Sequence, residues 1–154
     1  MHRSLFVLLF LPLAFTIGGT DVPFHRGVNL STWLQDDNAR SVQFTKYTKK
    51  DFQNIASLGA DVVRLPINLH GMTSGAPLYT IDPLLYRFLD SAATWCEQIG
   101  LHLILDNHSF DPAVNTTAEV ENILIPVWKQ LAQHMSGRSL LIHYEVLNEP
   151  HGIS

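Results

Sequence analysis

Hydrophobic and polar positions along this chain switch between two periods. Short stretches that alternate every second residue are separated by longer ones in which apolar residues recur at helical spacing. The first alternating run is Arg26-Gly27-Val28-Asn29-Leu30-Ser31, with Asn29 and Ser31 on one face and Val28 and Leu30 on the other. A polar loop through Asp36, Asp37 and Asn38 follows. Thr48 with Asp51 marks a helix start, Phe52, Ile55, Ala56 and Leu58 supply its apolar stripe, and Gly59 ends it. The second strand runs from Asp61 to Ile67 and carries Arg64 on the same face as Val62. Beyond an irregular loop with Gly71, Gly75 and Pro77, Asp82 caps a helix that has Pro83 in its first turn and stops at Gly100.

The third strand, Leu101 to His108, sets Leu101, Leu103 and Leu105 on one face against His102, Ile104, Asp106 and His108 on the other. A third helix is expected from about Thr117 to Met135, kinked or broken in two at Pro126, and closed by Gly137. The fourth strand starts at Ile142 and is halted by Pro150. On it His143, Glu145, Leu147 and Glu149 share one face, and Ile142, Tyr144 and Val146 share the other. So many ionisable groups on one face do not pack against helices. They fit the inside of a barrel or cleft, where charge is paired or hydrated.

Four strands alternating with three helices predict parallel βαβ units in an α/β fold. Polar residues collect toward the C-terminal end of each strand, where parallel α/β folds place their chemistry. No Gly-rich G-x-G-x-x-G follows any strand, which disfavours an open dinucleotide-binding sheet. The expected architecture is a (β/α)8 TIM barrel of which about the first four β/α units are present.

Composition narrows the function classes. At 46% hydrophobic and 16% charged, the 154 residues read as an ordinary globular chain with material for one core. A formal net charge of −4 and the lack of any basic run exclude a nucleic-acid partner. Residues 1–19 differ from the rest: His2 and Arg3 precede an apolar run from Leu5 to Ile17, then Gly18 and Gly19. That run is short for a membrane span and matches a secretory signal peptide, with an uncleaved N-terminal anchor as the alternative. The expected division is therefore a signal peptide over 1–19 and a domain over 20–154, secreted to an extracellular or periplasmic space without stable membrane association. Cys96 lies in a helical apolar pattern and reads as a core thiol. Asn29, Asn107 and Asn115 stand in Asn-x-Ser/Thr sequons.

Four motifs fall in order at the ends of the four strands: Arg26-Gly27-Val28-Asn29-Leu30, Val63-Arg64-Leu65-Pro66, Leu105-Asp106-Asn107-His108 and Leu147-Asn148-Glu149-Pro150. In this arrangement the chain resembles glycoside hydrolase family five, the cellulase family of (β/α)8 barrels. The resemblance covers nearly everything after the signal peptide. It implies a retaining glycosidase acting on β-1,4-glucan, with Glu149 as general acid/base and no cofactor or metal. Asn148 would bind the 2-hydroxyl of the sugar at the cleavage point. Arg64 would orient the nucleophilic carboxylate and hold it ionised. His108 would line the neighbouring sugar subsite, with Trp33 and His70 as secondary sugar contacts. The family nucleophile is a glutamate at the end of strand seven, and these 154 residues carry only four strands. The sequence is thus expected to be the N-terminal half of a catalytic domain, inactive alone, from a monomeric parent. Glu145 is expected to pair with Arg64 or His102 inside the barrel.

Two other readings stand beside this one. His102, Asp106, His108, His143, Glu145 and His151 together admit a metal-dependent barrel hydrolase, although their spacing is not compact. A half barrel that keeps sugar-binding groups without turnover would be a carbohydrate-binding remnant.

Overall fold

A computed structural model describes residues 23–109 and 120–150. It contains a four-stranded, all-parallel sheet in the order β1 (Gly27–Asn29), β2 (Val62–Ile67), β3 (His102–Asn107), β4 (Ile142–Glu145). The crossovers are helices α1 (Lys49–Ser57), α2 (Pro83–Ile99) and α3 (Glu121–His134). Strand order follows chain order, as it does when successive βα units wind round a barrel rather than doubling back across an open sheet. The expected signal peptide lies outside the described residues, and so do Asn115, His151 and the first turn expected for the third helix. No helix among the described residues is long and apolar enough to cross a membrane.

Register turns the two-residue period into layers. Val63 pairs with Leu103, which pairs with Ile142, and Leu65 pairs with Leu105. These side chains are buried on the outer face of the sheet, in one core with Phe52 of α1, Leu85, Leu89 and Cys96 of α2, and Val127 and Leu131 of α3. Burial pushes the Cys96 thiol up to about 12, so it stays a protonated core group. On the opposite face Asn29, Arg64, Ile104 and His143 form one row, and Pro66, Asp106 and Glu145 form the next toward the strand ends.

The helix starts behave as their sequences predict. Asp51 accepts hydrogen bonds from the backbone N–H and the hydroxyl of Thr48, both at 2.7 Å, and these hold its carboxyl below the usual aspartate value. Asp82 accepts from the Leu84 N–H at 2.9 Å, and Gly100 closes α2 in the left-handed region at φ 83°. Two expectations are narrowed or corrected. Of the kink or break expected at Pro126, the break does not occur, since the proline lies inside a continuous α3. The backbone bond that proline forfeits falls near the helix start, opposite exposed Asn122, where water can satisfy the carbonyl. Gln130 then fastens this helix to the sheet-end loops, donating to the Tyr79 and Pro126 carbonyls (both 2.9 Å) and accepting from the Ile81 N–H at 3.1 Å. Leu58, expected on the buried stripe of α1, is its C-terminal cap and 86% exposed.

At the N-terminal ends of the strands, His102 Nδ1 and His143 Nε2 are 2.8 Å apart, and Phe24 packs against both rings. Asp61 accepts from the N–H groups of His25 and Arg26 at 2.7 Å, which seats the segment entering β1. Leu65→Ala is expected to cost about 2–5 kcal/mol in urea denaturation, because it empties volume in the sheet–helix core. Leu58→Ala should stay within about 0.5 kcal/mol, since that side chain leaves little solvent on folding.

Candidate active site

Arg64 stands within the polar face, its side chain three-quarters buried, and its guanidinium therefore has to be surrounded by acceptors. Its Nε and Nη2 lie 2.7 and 2.8 Å from the two oxygens of Glu145, a bidentate pair between β2 and β4. Nη2 also lies 2.8 Å from Asn148 Oδ1 and 2.8 Å from Asp106 Oδ2, and Nη1 lies 3.3 Å from Asn29 Oδ1. One side chain thereby gathers residues from all four strands or their C-terminal extensions. Of the two partners expected for Glu145, the structure selects Arg64. His102 is taken by His143 instead.

Charge in this cluster is tuned by its neighbours. The hydrogen bond from Arg64 lowers the Glu145 pKa, outweighing the opposing effect of burial, and the same bond raises that of Arg64. Burial pushes the Asp106 carboxyl up, against the opposing pull of His108 and Arg64. Asp106 is completely buried.

The segment after β4 is set by backbone and side-chain bonds. The Asn148 N–H donates to the Asn107 carbonyl at 2.9 Å, and both the Asn107 side chain (3.2 Å) and the Trp128 indole (2.9 Å) donate to the Val146 carbonyl. Asn107 is therefore a buried structural amide that also accepts from the Ser109 hydroxyl, and its sequon is closed to a glycan in the folded chain. Glu149 follows in the left-handed region at φ 39°, an arrangement that costs a non-glycine residue roughly 1–2 kcal/mol. It is exposed at the strand end, and its charge is felt by Arg64.

Of the residues singled out from the sequence, Arg64 and Asn148 come together directly, with Glu149 next to Asn148 in the chain. His108 reaches the cluster through Asp106, its Nδ1 lying 2.8 Å from Oδ2. His70 sits on the loop after β2, its N–H donating to the Ser109 hydroxyl at 2.9 Å and its ring 5.7 Å from that of Tyr79. Trp33 does not join them, which corrects the expectation of a sugar contact. It is 1% exposed, donates its indole N–H to the Gln43 carbonyl at 3.2 Å and packs edge-on against Tyr47 and Phe88. The site expected from the sequence omitted Asn29 and Asp106, both of which meet Arg64. Both lie on the Arg64 face by the two-residue period, which was the available signal. The described residues contain no gathering of three or more His, Cys, Asp or Glu side chains able to hold a metal ion.

Parallel βα units in barrel order, with ionisable side chains collected at the strand ends, define a (β/α)-barrel of the glycoside hydrolase type. The chain belongs to the family described as Cellulase (glycosyl hydrolase family 5), which it matches over residues 19–154. It is similar to endoglucanase C of Acetivibrio thermocellus, with 31% identity over 141 residues, covering 83% of this chain and 40% of that protein. A probable glucan 1,3-beta-glucosidase A of Aspergillus fumigatus is 28% identical over 139 residues, 79% of this chain and 33% of its own length. Among solved structures, endoglucanase Cel5A of the hyperthermophilic Thermotoga maritima superposes with a TM-score of 0.71 at 25% identity, over 82% of this chain and 41% of that one. The chain thus spans well under half the length of these relatives, and its four described strands and three helices form part of the family's barrel.

Glu145→Gln is expected to lower stability near neutral pH by about 1–2 kcal/mol, a hydrogen-bonded charge pair discounted for partial exposure. The native Glu145 pKa lies below the unfolded one, so its contribution is complete above the unfolded value and lost as pH falls through the folded one. Denaturant titrations across the acid range should therefore show a limb that is weaker in the Gln variant. Superimposable wild-type and variant curves would remove the pair from the stability of the site.

Proposed function

We propose that this chain carries the acid/base side of a retaining β-glycosidase of the endoglucanase type, acting on β-1,4-linked glucan. The observation that supports the reading best is the convergence of Arg64, Asn148 and the Asp106–His108 pair at the C-terminal ends of adjacent parallel strands, with Glu149 directly after Asn148. Glu149 protonates the leaving glycosidic oxygen and then, as a carboxylate, activates the water that completes turnover. Asn148, oriented by Arg64, binds the sugar 2-hydroxyl. Arg64 supplies the positive field that keeps a nearby carboxylate ionised. His108 and, further out, His70 meet the sugar in the adjoining subsite.

Retention needs a second carboxyl roughly 5–5.5 Å from the first. Glu145 and Asp106 are both committed to Arg64, so the reading assigns the nucleophile to a glutamate in the portion of the family barrel that these residues do not span. Similarity to an endoglucanase and to a probable 1,3-glucosidase favours a β-glucan and leaves the linkage to the loops around the site. The reading includes a signal peptide over 1–19, a domain from residue 20, secretion, no cofactor and a monomeric whole protein.

The test is release of reducing sugar from carboxymethylcellulose by a protein in which the barrel is complete. Glu149→Gln should lower turnover about 10²–10⁴-fold, because the leaving group loses its proton donor. Hydrolysis near the wild-type rate in that variant would remove Glu149 from the acid role. Oligosaccharide binding without any release of sugar, in the unmutated protein, would favour a binding remnant over an enzyme.

A further inference from the structure

Asp106 is buried completely, yet the acid/base reading gives it no task. Its two oxygens are used unequally. Oδ2 lies 2.8 Å from Arg64 Nη2 and 2.8 Å from His108 Nδ1, whereas Oδ1 is buried with no hydrogen-bond partner among the described residues. Arg64 already has the bidentate Glu145 to neutralise it, so charge balance at the guanidinium does not call for a second carboxylate. Burying a carboxylate is unfavourable unless its partners offset the cost. What Asp106 does that Glu145 cannot is reach the imidazole two residues further along its own strand.

We propose that Asp106 is a positioning residue that fixes the tautomer of His108, holding the ring proton on Nδ1 and leaving Nε2 as a hydrogen-bond acceptor for the cleft. The chemistry follows from the atoms. The Arg64 guanidinium 2.8 Å from Oδ2 favours the ionised carboxylate against the effect of burial. An ionised carboxylate only accepts, so under this proposal the imidazole nitrogen 2.8 Å away is the donor. In a neutral imidazole the other nitrogen then carries the lone pair. The His108 backbone is fixed by its N–H, which donates to the Ile67 carbonyl at 2.8 Å, and the ring is held by Nδ1 against Asp106. Arg64 holds the same carboxylate oxygen from the other side, so the group that orients Asn148 also orients His108. The ligand such a nitrogen takes is a hydroxyl that donates to it. Identifying that hydroxyl with one on a sugar rests on the glycosidase reading above, whereas the tautomer does not.

The experiment is two-bond proton–nitrogen correlation spectroscopy at neutral pH on the full chain carrying ¹⁵N-histidine, with the His108 signals assigned by their loss in His108→Gln. Wild type is expected to show a protonated Nδ1 and a bare Nε2. Asp106→Asn, whose amide oxygen still accepts from Nδ1, should keep that pattern. Asp106→Leu, which removes the acceptor, should move the proton to Nε2 or give an exchanging mixture. A wild-type His108 protonated on Nε2, or on both nitrogens, overturns the proposal, as does an unchanged pattern in Asp106→Leu. Should the leucine variant fail to fold, the wild-type spectrum still decides. No substrate is needed, so the two readings fail separately: a bare Nε2 here, with no glycosidase activity in a protein whose barrel is complete, sinks only the enzyme, and a protonated Nε2 with such activity sinks only the tautomer.

Discussion

A guanidinium placed on the inner face of a parallel sheet sets the conditions for everything around it. Arg64 is too buried to be satisfied by water alone, and an unpaired charge there would cost several kcal/mol. Its flat fork of donors therefore dictates where acceptors stand: Glu145 opposite it on β4, Asp106 on β3, Asn29 on β1 and Asn148 beyond the end of β4. A lysine at this position would offer a point charge in place of the fork and would not hold Glu145 through two parallel bonds. The four strands are joined by backbone ladders, but their relative register at the C-terminal end is also read out by one side chain.

The other face of the same strands answers to a different constraint. Val63, Leu65, Leu103, Leu105 and Ile142 are buried against the three helices. A one-residue slip of any strand would exchange this apolar set for the charged one. Helix docking is reinforced at its margin, where Arg138 beyond α3 reaches Asp90 at 2.7 Å and Glu97 at 3.1 Å on α2. Packing on one side thus makes the polar layer on the other side precise in register, and this precision is what a two-carboxylate mechanism requires of its supporting groups. Polar groups also separate along the strands. The His102–His143 pair lies at the end where Phe24 packs, and the Arg64 cluster lies toward the end that carries Asn148 and Glu149.

How far the sequence went depended on whether the answer lay in local period or in distant contact. Strand identity, the Thr48–Asp51 and Asp82–Pro83 helix starts and the Gly100 stop were all legible, because each is settled within a few residues of backbone. The membership of Arg64 in the site was legible as well, since a charged residue on an inward face has few other uses. Trp33 was misjudged. An aromatic after a strand end signals a sugar platform only if its flat face is left bare, and Tyr47 and Phe88 cover it. At Pro126 only the break failed to occur, because the cost of a missing N–H depends on whether the carbonyl it abandons can reach water.

By itself, then, the sequence determined a four-strand, three-helix parallel unit with one apolar and one ionisable face, and the order of the motifs at its strand ends. Those features follow from side-chain periodicity and capping, which act over one or two turns of chain. Only the tertiary structure decided which acceptor each donor of Arg64 takes, that Glu145 answers to Arg64 and His102 to His143, and that Asp106 stands between Arg64 and His108. Apart from Asp106 and His108, which are two positions apart, these pairings join residues some forty to eighty positions apart and are chosen by strand register and by the cost of burying a charge without a partner. Neither is written in any short stretch of the chain.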